Sequence, residues 1–528
     1  MKNNIKYLAI LALGLVACEP EFDNPIDEAG VFTSGEADFS NYVALGNSLT
    51  AGFADGALYI TGQENSYPNI LSQQFALAGG GEFTQPLMAD NTGGALLGGT
   101  QILNNRFVLA FDAEGNPGPA IYTGATPTTE ISNNLGSSFN NMGVPGAKSY
   151  HLAAPGYGNV AGVAAGLANP YFARFASSAD ATVIGDAIAQ SPTFFSLWIG
   201  NNDILSFATS GGIGVDHNVT GELNPANYGG NDITNSNVFA SVYNDLIGAL
   251  IANGAKGVVL NLPDVSTLPF FTTVPFAPLS PLDPNFGPQI PTLNATYGQL
   301  NGAFAFLGFP ERAIEFSTTG ASPVVIRDES LTDISAQLVP VLTPALGAAQ
   351  AAIFAAQYGQ ARQATSNDLL VLTSAGVIGQ INEDRLAELV GFGLTPEQAG
   401  QLSVNGVTYP MQDQFVLTSD EQSSVENARV AFNASIRGIA AANGLAFYDV
   451  ASDLTQAAGS GIPFDGGVIT SDFVTGGGFS LDGVHPTPRA HALVTNGIID
   501  AIKDTYGATL PSVNPGDYGT VTLSNEVN

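Results

Sequence analysis

Short apolar runs that stop abruptly at a glycine or a tight polar turn constrain this chain more than any other feature. Tyr42-Val43-Ala44-Leu45 stops at Gly46, and Phe194-Phe195-Ser196-Leu197-Trp198-Ile199 stops at Gly200. A third run, 256–262, lies between Gly254 and Pro263-Asp264, and a fourth, 445–450, follows Gly444. Runs this short, rich in aromatic and β-branched residues and with little polar alternation, predict strands buried on both faces, as in a parallel sheet. Helical stretches between them predict βαβ units. Ligands bind such open sheets beyond the carboxyl ends of the strands, so the residues just after each run are the ones to inspect.

After the first run, Gly46-Asn47-Ser48-Leu49 presents one hydroxyl at a turn into a segment able to start a helix. A serine there can be a nucleophile, with its own N–H placed to serve an oxyanion; the same residues can also be a plain turn. Asn140 to Ser149 reads as a strand ending in small residues, where Gly146 can bring a backbone N–H close to a substrate because no Cβ blocks the approach. The run ending at Gly200 continues as Asn201-Asn202-Asp203, in which Asn202 offers a side-chain amide donor and Asp203 is expected to hold the loop by local backbone bonds. Near the other end, Ser480-Leu481-Asp482-Gly483-Val484-His485-Pro486 places a carboxylate three residues before a histidine, ahead of a helix expected over 489–506. That spacing lets the acid orient one ring nitrogen while the other faces outward. The chain has four histidines. His491 lies on the following helix and reads as structural, His217 sits in a polar loop after Asp216, and His151 lacks an adjacent acid.

These four stretches, in this order, resemble the SGNH (GDSL) hydrolase family: Gly46-Asn47-Ser48-Leu49, Gly146, Gly200-Asn201-Asn202-Asp203 and Asp482-Gly483-Val484-His485-Pro486. The resemblance implies a three-layer α/β/α, flavodoxin-like sandwich around a parallel sheet. It also implies a serine esterase with Ser48, His485 and Asp482 as triad and with the Ser48 N–H, the Gly146 N–H and the Asn202 side chain as oxyanion hole. No metal or other cofactor is implied. Two residues depart from the family pattern. Asn47 replaces the usual aspartate, and Asn201 a common glycine. The ester substrate is expected to be an acyl or acetyl ester of a lipid or a carbohydrate. The alternative from a different class is a catalytically silent surface lipoprotein that binds glycans on the same scaffold.

Residues 1–17 read as a signal segment: Lys2 and Lys6, then an apolar stretch too short to span a bilayer, then Leu15-Val16-Ala17-Cys18. The last four resemble the lipobox of bacterial lipoproteins, which implies a lipid on Cys18, the single cysteine of the chain. A membrane partner through that anchor follows, in the cell envelope, with Glu19 after the cysteine pointing to the outer membrane. Residues 18–40 are expected to be a flexible tether, 41–510 the catalytic body with insertions at about 84–135 and 265–415, and 511–528 a tail. Formal charge is −32, or −34 once Lys2 and Lys6 are removed, a surface that repels nucleic acid. Hydrophobic residues make up 45% and charged ones 11% of the chain, so the body is globular.

Finer expectations can be set against the structure. Residues 69–77 predict a helix capped by Ser66, residues 84–99 a loop, and the stretches 106–111 and 120–122 a hairpin around Asp112-Ala113-Glu114, read as a solvated turn rather than a calcium loop. In the second insertion, 331–362 predicts helix broken at Pro340 and Pro344, 368–378 a strand and 383–390 a short helix. Thr418-Ser419-Asp420-Glu421 is a capping box opening a helix to about residue 443.

Overall fold

Strand β1 (Tyr42–Gly46) is buried along its whole length. Val43 and Leu45 enter one hydrophobic core and Tyr42 and Ala44 another, so both faces of the strand are covered. The same holds for the sheet built around it: β2 (Asn141–Gly143), β3 (Phe194–Trp198), β4 (Lys256–Leu260) and β5 (Ala446–Tyr448). Every neighbouring pair is parallel, and the spatial order is β5-β4-β3-β1-β2. This 2-1-3-4-5 order is the flavodoxin-like one among doubly wound sheets, with its switch point between β1 and β3. Residues 31–111, 115–136, 138–524 and 526–527 are described by this computed structural model. The signal segment, Cys18, the first part of the tether and the acidic turn at 112–114 lie outside the described residues.

Helices cover both faces. A single turn, α1 (Ser48–Ala51), follows β1, and α2 (Tyr67–Ala76), α3 (Asn202–Thr209), α4 (Ser236–Ile251), α5 (Ser419–Ala442) and α6 (Pro488–Tyr506) follow in chain order. On one side Phe239, Tyr243 and Ile247 of α4 and Phe432 and Ile436 of α5, spaced four apart as a helix face requires, pack on Leu45, Leu197 and Val259. On the other, Leu71 and Phe75 of α2 and Val494, Ile498 and Ile502 of α6 cover Tyr42, Trp198 and Leu260. The capping pair opens α5 as expected, with Thr418 donating both its N–H and its hydroxyl to the Glu421 carboxylate at 2.7 and 2.8 Å. Ser66 precedes α2 without capping it; its hydroxyl turns to Gln85 Oε1 at 3.4 Å, and Pro68 supplies the first-turn φ instead. Among the described residues no helix is long and apolar enough to cross a membrane.

The second insertion carries its own core. Helix Ile290–Leu307 and helix Ala348–Tyr358 bury Tyr297, Leu300, Phe304, Phe354 and Tyr358 around the strand Val325–Arg327. One helix, Ser335–Leu346, runs through both Pro340 and Pro344, and the break comes at Gly347, with φ +78°. Its two interior prolines cost about 3 kcal/mol each, and burial of Leu338 and Leu342 on the same helix contributes about 1.5–3 kcal/mol each against that. Further differences have local causes. Within 84–99 the chain pairs Ala95–Leu97 with Thr100–Leu103 because Gly98 and Gly99, at φ +60° and +79°, form a two-residue turn. In 368–378 only Leu369–Leu370 pairs, with Val416–Leu417, before a 3₁₀ turn at Leu372–Gly376. The tether's far end is not loose. Ala37 and Phe39 are buried, and Phe39 stacks on Phe75 at 3.9 Å, since leaving that ring in water would forfeit its apolar area.

Gly46 is needed for a reason other than a free turn, since it is absent from the positive-φ positions. A Cβ there would stand 2.1 Å from Thr50 Oγ1 and 2.4 Å from the Trp198 carbonyl oxygen. Close approach of β1, β3 and α1 excludes any side chain. Gly46→Ala is therefore expected to lower the unfolding free energy by about 2–3 kcal/mol, read as the shift of a urea midpoint; an unshifted midpoint would refute the close-packing account.

Candidate active site

The sheet register aligns three loops. Gly46 stands opposite Gly143 of β2 on one side and Trp198 of β3 on the other, so the segments leaving β1, β2 and β3 begin side by side. They carry Ser48, Gly146 and Asn202. Asn47 caps α1, its Oδ1 accepting from Leu49 N–H at 3.0 Å, which sets Ser48 at the first helical position with its hydroxyl outward. Asn47 Nδ2 donates to Asn201 Oδ1 at 3.2 Å. The two departures from the family pattern thus contact each other and tie the β1 and β3 loops together.

His485 reaches this corner from the other end of the chain. Its Nε2 lies 2.9 Å from Ser48 Oγ and its Nδ1 2.8 Å from Asp482 Oδ2. With the carboxylate on Nδ1, the proton belongs there, and Nε2 is left to accept from the serine hydroxyl. Asp482 Oδ1 accepts from the backbone N–H of Val484 at 2.9 Å and of His485 at 2.8 Å, while Oδ2 also accepts from Gly56 N–H at 2.8 Å. Burial pushes this carboxyl up, but the imidazole and the N–H donors outweigh it and hold the pKa down at about 2. The Phe53 ring lies 4.7 Å from the imidazole and shields that side.

The other three histidines have different work. His491 is buried, accepts from Tyr67 N–H, and is pushed down to about 3, chiefly by burial. His151 accepts from Lys148 N–H and is lowered to about 4 by burial and by the lysine charge. His217 does have a carboxylate, Asp232, with Nε2 to Oδ2 at 2.8 Å, fifteen positions away and so invisible to local spacing. It stacks on Tyr228 and braces the 215–235 loop.

The oxyanion-side residues are held from below. Asn202 Nδ2 donates to the Ala147 carbonyl at 2.9 Å, which uses one of its two N–H bonds and links it to the residue after Gly146. Gly146, at φ +81°, is exposed, and neither its N–H nor that of Ser48 has a protein acceptor among the described residues. Asp203 bonds its own loop only through its backbone, N–H to the Gly200 carbonyl at 3.1 Å; its side chain does not. Fully buried, it accepts from Ser149 N–H at 2.8 Å and Ser149 Oγ at 2.6 Å, pinning the Gly146 loop to the start of α3.

Sequence reasoning missed Asp55 and Arg106. Asp55, at φ +53°, accepts from Leu481 N–H at 3.0 Å and donates its own N–H to Ser480 Oγ at 2.9 Å, so it grips the start of the histidine loop with both its backbone and its carboxylate. Arg106 Nη2 pairs with Asp55 Oδ2 at 2.7 Å and also reaches Thr522 Oγ1, drawing in the first insertion and the 511–528 segment. Burial pushes the Asp55 carboxyl up even with that guanidinium beside it. The only sequence signal was a charged residue beside Gly56 after the serine turn.

Ser48, Asn201, Asn202 and His485 share the wall of a cavity of about 110 Å³ that is open to solvent at its mouth. Gly146 is not on that wall. Among the described residues no group of three or more His, Cys, Asp or Glu side chains is placed to hold a metal. Comparisons with protein-family models, with curated proteins and with solved structures found no match.

Two outcomes follow from the carboxylates. Asp482, held below its ordinary value of 3.8, contributes stability that is present above about pH 4 and lost as the pH falls through about 2. The stability difference between wild type and Asp482→Asn, measured by denaturant unfolding, is expected to shrink by about 2 kcal/mol between pH 5 and pH 2. Arg106→Ala leaves Asp55 buried without its cation and is expected to cost about 3–5 kcal/mol, whereas a loss under 1 kcal/mol would show that Asp55 finds other compensation.

Proposed function

We propose that the chain is a serine esterase of the SGNH (GDSL) type, anchored to the bacterial cell envelope through a lipid on Cys18. The observation that carries the reading is the hydrogen-bonded series Asp482, His485, Ser48, with distances of 2.8 and 2.9 Å, at the carboxyl end of a parallel sheet. A glycan-binding scaffold has no need of a serine hydroxyl aligned on an imidazole that a carboxylate orients.

The chemistry follows from these atoms. Ser48 Oγ attacks the ester carbonyl carbon as His485 Nε2 takes the hydroxyl proton. Negative charge moves to the carbonyl oxygen, where the Ser48 N–H, the Gly146 N–H and the second N–H of Asn202 receive it. Collapse breaks the carbon–oxygen bond to the alcohol, which leaves with the proton from His485 and an acyl group stays on Ser48. Water then attacks the acyl carbon, giving a proton to His485, which returns it to Ser48 Oγ as the bond to Ser48 breaks and the carboxylic acid leaves. Asp482 keeps the ring in the productive tautomer and stabilises its charged form in both halves.

Ser48→Ala is expected to abolish both p-nitrophenyl butyrate hydrolysis and labelling by a fluorophosphonate. Failure of the wild-type serine to label, in protein shown to be folded by circular dichroism, would overturn the esterase in favour of the silent binder. Asn202→Ala removes one oxyanion donor and is expected to lower kcat by about 10²–10³-fold while leaving Ser48 open to the phosphonate.

A further inference from the structure

The cavity beside Ser48 and Asn202 extends beneath the β4 and β5 end of the sheet, and Gly146 is not on its wall. Its far elements carry none of the triad. Val265 and Leu268 come from the first residues of the second insertion, Leu454 and Ala457 from the helix Val450–Ala458, Ile469 from the strand Gly467–Ile469, and Val494 from α6. No lysine, arginine or glutamate lines it. Of the polar groups present, the Trp198 indole N–H is spent on the Asn261 carbonyl and the Asp453 carboxylate accepts from the Tyr448 hydroxyl. A sugar ring needs several convergent donors and acceptors, and this wall offers almost none beyond the triad and the two asparagines. An acetyl group would fill a small part of the space and leave the rest of the apolar wall in contact with water.

We propose that this cavity is an acyl subsite, taking the hydrocarbon chain of a medium- or long-chain carboxylic ester whose carbonyl lies at Ser48. The proposal rests on the esterase reading. It assigns specificity to the elements 450–458 and 462–469, which carry none of the triad, and it places an acetylated polysaccharide outside the preferred substrates.

The test uses the full chain in detergent with p-nitrophenyl acetate, butyrate, hexanoate and octanoate, beside a small fluorophosphonate as titrant of Ser48. Each methylene buried in the cavity is expected to raise kcat/KM about fourfold, until the space is filled. Ala457→Phe, which puts a ring into the cavity, is expected to lower the octanoate-to-acetate ratio of kcat/KM at least tenfold, and Val494→Phe, on a different element, to do the same. Labelling of each variant by the small phosphonate reports an intact triad and separates a blocked cavity from a misfolded protein. Serine that labels, with a ratio near one across the esters or unchanged in both variants, overturns the acyl subsite and leaves the esterase standing. Serine that does not label in folded wild type overturns both. Dioctanoylglycerol and an octanoylated glucose, offered side by side, then tell whether the acyl chain arrives on a lipid or on a sugar.

Discussion

Parallel pairing of β1 with β2 on one side and β3 on the other is the constraint on which the rest depends. In a parallel ladder the partners advance together, so aligning Gly46 with Gly143 and with Trp198 starts three loops at one level. Ser48, Gly146 and Asn202 are each reached within a few residues of that level. A slip of one residue in either pairing would turn buried side chains to the opposite face and separate the loops. Gly46 and Gly143 make the close approach possible, since a Cβ on either would meet backbone or side-chain atoms of α1 within 2.4 Å.

The histidine loop has no such ladder and is held by polar contacts instead. Asp482 organises it from within by taking the N–H groups of Val484 and His485, and Asp55 grips it from outside through Ser480 and Leu481. A further bond, from Phe270 N–H to the Gly483 carbonyl at 2.9 Å, ties the loop to the second insertion. Buried ion pairs such as Asp55 with Arg106 add little net stability against an apolar equivalent. Their value here is geometric, because a charged pair that must stay together fixes where the loop can lie. The positive φ of Asp55 is the strain tolerated for that placement.

The two insertions have different relations to the site. The first supplies Arg106 and so bears on the triad from behind. The second folds around its own core and meets the sheet domain through its opening residues, where Val265 and Leu268 line the cavity and Phe270 holds the histidine loop, and through Val371, which joins the sheet-side core. The cavity beside Ser48 is thereby bordered by the base of the insertion rather than by its alanine-rich helices, whose buried faces serve their own packing.

Local chemistry made much of this legible. Short apolar runs marked four of the five sheet strands, two of them ending at a glycine, because strands buried on both faces leave no alternation. The ordered motifs marked Ser48, Asn202, Asp482 and His485, and the acid three residues before His485 is a short-range pattern that hydrogen bonding makes real. Contacts distant in sequence were not legible: Asp55 with Leu481, Asp203 with Ser149, Asn47 with Asn201, His217 with Asp232. Nor was the course of helix Ser335–Leu346 through two prolines, since burial acts against propensity there. The sequence by itself determined the buried strands of the sheet and the ordered motifs that follow them, for those depend on neighbours within one turn or one strand. Tertiary structure alone decided what braces the triad and that an apolar cavity opens beside it, because both are made by packing segments hundreds of residues apart.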